Sequence, residues 1–236
     1  MAKDNKTETR TAIDDLNDSL SKAELRIQNN KKKIMWASLA VAAVVVLALL
    51  YVYCIYRPGV NKANNNFGLA SNAYISATAM GQPSDSTLVE IGQLYEAAAA
   101  DGHDGGNNAT LMAAVVSYQA GDYQKALDLL ANYDRSDEVV AATSQALEGD
   151  CYVNLGDFDK GLDAFRKAEK TANGNPTLVP YMLLKQANVL RELKNYSEEA
   201  AIYETLLAKY PYYQQQTGTD FQLALNRAKA QAGTGK

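Results

Sequence analysis

The chain has 236 residues, of which 47% are hydrophobic and 21% charged, enough apolar content for one domain with appendages and too much for a disordered chain. Its formal charge of −4 hides an asymmetry: residues 1–33 hold eight basic and six acidic side chains, and residues 57–236 hold fifteen and twenty-one. An acidic C-terminal part excludes nucleic acid as the partner, because phosphate binding requires a clustered basic face.

Residues 1–33 read as a polar segment carrying one short helix. Ile13, Leu16, Leu20, Ala23 and Ile27 recur at alternating spacings of three and four, the seam of a short coiled coil or the apolar face of a helix lying near a membrane surface. Both readings stay open, and the first makes residues 13–27 a route to a homo-oligomer. Asp14, Asp15 and Asp18 come early and Arg26 and Lys31 to Lys33 late, the order that a helix dipole favours.

Residues 34–56 follow as 23 residues without a charge. At about 1.5 Å per residue they reach roughly 34 Å, against a hydrocarbon core of about 30 Å. Eleven of them are Leu, Ile or Val, with Trp36 at one end and Tyr51, Tyr53 and Tyr56 at the other, where amphipathic rings settle at the headgroups. Such a run is too long for a cleaved signal and is expected to stay as a transmembrane helix. Bulky Tyr51, Val52 and Tyr53 before Cys54 argue against lipoprotein processing. Five basic residues (Lys22, Arg26, Lys31, Lys32, Lys33) flank its N-terminal side, against Arg57 and Lys62 on the other. The positive-inside rule therefore places the N-terminus in the cytoplasm and residues 57–236 outside.

The exported part begins with a helical pair, residues 62–80 and 86–100, broken at Gly81-Gln82-Pro83-Ser84-Asp85. In the loop at 101–106, the only histidine, His103, is a solvated residue, and Gly105-Gly106 makes a turn. Asn108-Ala109-Thr110 has the form of a glycosylation acceptor, but Asn108 is expected to cap the helix that follows. Then one pattern recurs three times: Gly121-Asp122-Tyr123-Gln124-Lys125-Ala126, Gly156-Asp157-Phe158-Asp159-Lys160-Gly161 and Lys194-Asn195-Tyr196-Ser197-Glu198-Glu199. Each aromatic residue is expected to wedge between two antiparallel helices, and Leu130, Phe165 and Tyr203 stand seven residues later. A last helix at 219–232, capped by Thr219 or Asp220, closes the array, and Gly233 to Lys236 are expected to fray.

These segments resemble the tetratricopeptide repeat, with repeats at about 107–140, 142–175 and 180–213. Ala114, Gly149 and Ala187 match its first small site, Ala126 and Gly161 its second, and Pro211 its terminal proline. Glu199 departs from the second site, so either the turn holds an extra residue that puts Ala200 there or the third helix pair packs loosely. The expected fold is all-α, a tetratricopeptide-type helical-hairpin solenoid on a single N-terminal transmembrane helix.

No catalytic constellation, cofactor site or metal site is expected. One histidine cannot build a multi-histidine site, no phosphate-binding glycine loop follows a strand, and the acidic residues at turns are explained as helix caps. Cys54 and Cys151 lie in different surroundings and are not expected to pair, and Cys151 reads as a small buried hydrophobe. The function is thus one of binding. The inner face of the first helix of each repeat would carry Leu111, Val115 and Tyr118, then Ala146, Asp150 and Asn154, then Tyr181, Leu184, Asn188 and Arg191, a mostly apolar and uncharged groove. Residues 62–100 either leave that groove open or cover it.

The layout, with "ALEGDCYVNLGDFDKGLDAFRKA" at its centre, is similar to the bacterial YfgM-like family. That resemblance implies a single-pass inner-membrane protein with a periplasmic repeat domain, ancillary to the Sec translocon, whose partners are translocon subunits and a membrane-anchored periplasmic chaperone. A scaffold for envelope or division machinery is the alternative with the same topology.

Overall fold

The computed structural model describes residues 12–234, which divide into two units between Pro58 and Gly59. Residues 1–11 lie outside the described residues, as do the side chains of Ile13, which belongs to the expected seam, and of Asp14 and Asp15, which belong to the expected dipole order.

In the first unit, α1 (Ala12–Asn29) and α2 (Lys31–Tyr51) are followed by a π-helical turn, Val52–Tyr56. Leu16, Leu20 and Ile27 are exposed on α1. No residue of α2 is buried, so its Leu, Val and Ile side chains have nothing in the chain to cover them. The helical run Lys31–Ala79 is the one candidate among the described residues long and apolar enough to cross a membrane. The π turn has a cause in the sequence. Pro58 has no N–H, and its ring crowds the carbonyl of Cys54 four residues back. Just ahead of it the Arg57 N–H bonds to the Val52 carbonyl five residues back, and the wide turn relieves the crowding without ending the helix.

The second unit is built of helices: α3 (Arg57–Ala79), α4 (Asp85–Ala99), α5 (His103–Gln119), α6 (Tyr123–Ala131), α7 (Glu138–Asn154), α8 (Phe158–Thr171), α9 (Leu178–Glu192), α10 (Tyr196–Lys209), α11 (Tyr213–Thr217) and α12 (Phe221–Thr234). Helices α5–α6, α7–α8 and α9–α10 are the three repeat hairpins. α12 packs on α10 as α9 packs on α8, and so takes the place that a fourth repeat's first helix would fill. It runs through Gly233, where the sequence suggests fraying. Asp220, not Thr219, caps it, accepting from the Leu223 N–H at 2.9 Å. The short helix α11 between α10 and α12 is an insertion that the repeat pattern does not contain.

The turns inside the hairpins are one structure written three times. Gly121, Gly156 and Lys194 take φ of +81°, +83° and +59°, and the following N–H reaches back to close the helix, from Asp122 to Ser117, Asp157 to Tyr152 and Asn195 to Leu190. Asp122, Asp157 and Asn195 then cap the next helix, accepting from the N–H groups of Lys125, Lys160 and Glu198. The third turn holds no extra residue, so Glu199 itself stands at the second small site, aligned with Ala126 and Gly161. Nor is the pair loose there: Glu199 is 0% exposed, and Arg191 and Arg227 approach its carboxylate at 3.4 and 3.1 Å.

Small residues bring the hairpin helices together. A Cβ on Gly149 would lie 2.6 Å from the Phe165 ring, and one on Gly161 2.6 Å from Val153 and 3.2 Å from the Gly149 carbonyl. Phe165 and Tyr203 are 1% exposed and Leu130 0%, whereas Tyr123, Phe158 and Tyr196 are only half-buried. The wedge is therefore the second aromatic or aliphatic position of each repeat and not the one at the turn.

Two further expectations change. Residues 103–106 are helical, and Gly105 and Gly106 form a packing surface: a Cβ on them would come within 2.8 Å of the Ala63 backbone and 3.0 Å of the Ala99 carbonyl. Asn108 is accordingly inside α5 and caps nothing; its neighbour Asn107 instead exchanges two hydrogen bonds with the Asp134 backbone, at 3.0 and 2.8 Å.

Phe165→Ala should cost about 3–5 kcal/mol in denaturant melts and Phe158→Ala clearly less, because only the first leaves a cavity sealed on all sides. Equal losses would show that the half-buried ring at the turn carries the hairpin.

Candidate partner-binding site

Leu111, Val115 and Tyr118 lie at intervals of four and three on α5, and Ala146, Asp150 and Asn154 at intervals of four on α7, so each set shares a helix face. Leu111, Val115, Ala146, Asp150 and Tyr181 line one open cleft of about 290 Å³, together with Leu147 and Thr143. No residue of 57–100 lines it. Helices α3 and α4 pack instead around Ala109, Ala113 and Val116 of α5, and the Tyr74 hydroxyl donates to Gln119 Oε1 at 3.1 Å. Tyr118 borders the same floor: the Asn154 side-chain amide donates to its hydroxyl at 3.3 Å, and its ring tilts against Tyr123 at 5.5 Å.

The groove is not uncharged. Lys185 of α9 donates to Asp150 at 2.7 Å, and the pair is largely sheltered, with side-chain exposures of 29% and 17%. The ammonium lies 5.4 Å from the Tyr181 ring centre and 6.0 Å from that of Phe165. Burial pushes the Asp150 carboxyl above its ordinary value, with the bond and charge of Lys185 pulling the other way. Burial also pushes the Lys185 ammonium down, but the bond and charge of Asp150 outweigh it and its value ends up raised. Burial and the neighbouring Asp150 charge likewise raise the Tyr118 hydroxyl. Lys185 stands four residues after Tyr181, on the same helix face, and that spacing is the sequence signal that points to it.

Leu184, Asn188 and Arg191 fall in a second cleft of about 510 Å³, where Leu223 and Arg227 of α12 form the opposite wall and Tyr203 lies at the base. Arg191 also donates to Asn188. Of the groove residues, Leu111, Val115, Ala146, Asp150 and Tyr181 thus line the first cleft and Leu184, Asn188 and Arg191 the second, while Tyr118 and Asn154 line neither. The second exists because α12 supplies a wall, and its partner residues are not in the repeat pattern.

Among the described residues no group of three or more His, Cys, Asp or Glu is placed to hold a metal ion. Cys151 is fully buried beside this face, and burial, with the charges of Asp150 and Glu148, pushes its thiol up to about 12.

The tetratricopeptide repeat family model matches residues 111–176 and again residues 146–213, two alignments offset by one repeat. No curated protein matches the chain.

The buried thiol has a direct consequence. Iodoacetamide at pH 8 should leave Cys151 unmodified in the native chain and alkylate it in denaturant, since the thiolate that reacts is suppressed by burial and its raised value. Peptide mass spectrometry reads the outcome, and native-state labelling would place Cys151 at an open surface.

Proposed function

We propose that this chain, with tetratricopeptide repeats across residues 111–213, is a membrane-anchored adaptor that holds a partner protein in the cleft of its repeat domain. Repeats of this kind serve as protein-interaction scaffolds, generally without catalysis. The observation that carries the reading is an open cleft with apolar walls on the first helices of consecutive repeats, in a chain that also bears a fully exposed apolar helix.

The finer reading is an adaptor of protein export, ancillary to the Sec translocon, with translocon subunits and a membrane-anchored periplasmic chaperone as partners. It is supported by the layout shared with the YfgM-like family: a short N-terminal segment, one apolar helix and a repeat domain. The five-to-two basic excess at the apolar helix supports a cytoplasmic N-terminus and a periplasmic repeat domain in a bacterial inner membrane. A homo-oligomer through residues 13–27 fits the same topology.

Two measurements test these proposals. Protease added to spheroplasts should digest residues 57–236 and spare the N-terminus; a protected repeat domain would overturn the topology and the export role with it. Tyr118→Ala with Tyr181→Ala should leave the circular dichroism and membrane insertion intact while reducing co-purification of translocon subunits or the chaperone. Each ring is expected to be worth about 1–3 kcal/mol of binding. Capture at wild-type yield would mean that the cleft is unused.

A further inference from the structure

The charge of the repeat domain is distributed unevenly along the array. Residues 85–150 carry twelve acidic and two basic side chains, a net of −10, while residues 151–236 carry nine and eleven. Both bases of the acidic stretch are already paired, Lys125 with Glu96 at 2.6 Å and Arg135 with Glu148 at 2.9 Å. Two of the helices in this stretch, α5 and α7, supply Leu111, Val115, Leu147 and Asp150 to the cleft.

The turn between α6 and α7 sets acid at the N-terminal end of α7, whose residues from Thr143 onward line the cleft. Arg135, its one base, folds back onto Ser144 at 3.2 Å and Glu148, and Ser144 lines the cleft. Its acids Asp134, Asp137 and Glu138 stay exposed. On the floor, Lys185 does not reverse the sign, since its charge is spent on Asp150 and it rests against two aromatic rings.

We propose that the cleft takes a partner segment in which Lys or Arg alternates with apolar residues, its apolar side chains against Leu111, Val115 and Leu147 and its cations on the acidic turn Asp134–Glu138 at the start of α7. This rests on the adaptor reading of the same cleft and names the chemistry of the occupant. Charge complementarity selects it: the helices around the cleft carry a net of −10 over residues 85–150, which repels an acidic segment or an anionic lipid surface and attracts a basic one.

The test uses the full chain in a non-ionic detergent and short fluorescent peptides, read by anisotropy against empty micelles. An alternating Leu–Lys peptide should bind, an alternating Leu–Glu peptide should not, and added salt should weaken the first. The variant Asp134→Asn, Asp137→Asn, Glu138→Gln changes exposed side chains only, and the amide oxygen introduced by Asp137→Asn can still accept from the Val140 N–H as the Asp137 carboxylate does at 2.9 Å. It should weaken Leu–Lys binding by about tenfold with an unchanged melting curve. Tyr118→Ala should weaken it as well. Equal binding of the Leu–Glu peptide, lost in Tyr118→Ala, would overturn the charge assignment and leave the cleft as the binding site. Binding of a Ser–Lys peptide as tight as Leu–Lys and indifferent to Tyr118→Ala would overturn both, because acidity alone would then capture cations away from the cleft.

Discussion

Everything in the repeat domain depends on how closely two helices of a hairpin approach, and that distance is set at Gly149. With a hydrogen where other residues have a methyl or more, the Phe165 ring can lie where a Cβ would stand, and Gly161 lets the facing helix come up to the Gly149 carbonyl. A ring held this way fills the space between helices at the density of a protein interior. The same distance fixes the angle between hairpins, and hence how the first helices of successive repeats line up. A cleft with Leu111 on one side and Tyr181 on another exists only because α5, α7 and α9 are spaced by these internal contacts.

The third hairpin meets the same constraint with a charge. At its second small site Glu199 is enclosed, one carboxylate oxygen shared by two arginines from α9 and α12, the other without a hydrogen bond. Enclosing a carboxylate is costly, and the attraction of paired guanidinium groups offsets that cost only while both remain in place. The arrangement therefore ties the closing helix to the last repeat at a chosen register, alongside the Tyr203 and Phe221 rings at 6.1 Å. Lys185 and Asp150 repeat the device one hairpin earlier, between α7 and α9. Charge is used here to fix which helix faces which, where apolar contacts alone would tolerate sliding.

The sequence discloses those parts of the fold that are local. A residue able to adopt positive φ, a capping Asp or Asn and an aromatic residue in that order can only end one helix and begin another, and this occurs three times at nearly constant spacing. The apolar run at 34–56 is equally local. Less legible are features that depend on two distant segments meeting. Gly105-Gly106 reads as a turn until α3 and α4 are seen to need the room, and Asn108 reads as a cap because the helix start at His103 leaves no recognisable signal. Phe158 and Phe165 are alike in composition, and only their depth in the packed pair separates them. The groove face emerges from counting along the first helices, a count that also reaches Lys185 four residues after Tyr181, but the wall supplied by Leu223 and Arg227 lies outside the repeat altogether.

An adaptor also needs a surface that is sticky to one class of partner and indifferent to the rest. Apolar clefts alone are promiscuous, because burial rewards any hydrophobe of suitable size. A sheltered ion pair on the floor changes that balance. A segment that covers Asp150 and Lys185 removes their remaining water, and the loss is recovered only if it brings polar groups of its own into the right places. Wrong partners are thereby penalised as well as right ones rewarded. On the proposed reading, the excess acid along α4 to α7 would act over a longer range and bias which segments arrive, while the ion pair and the tyrosines around it would decide which of them remain.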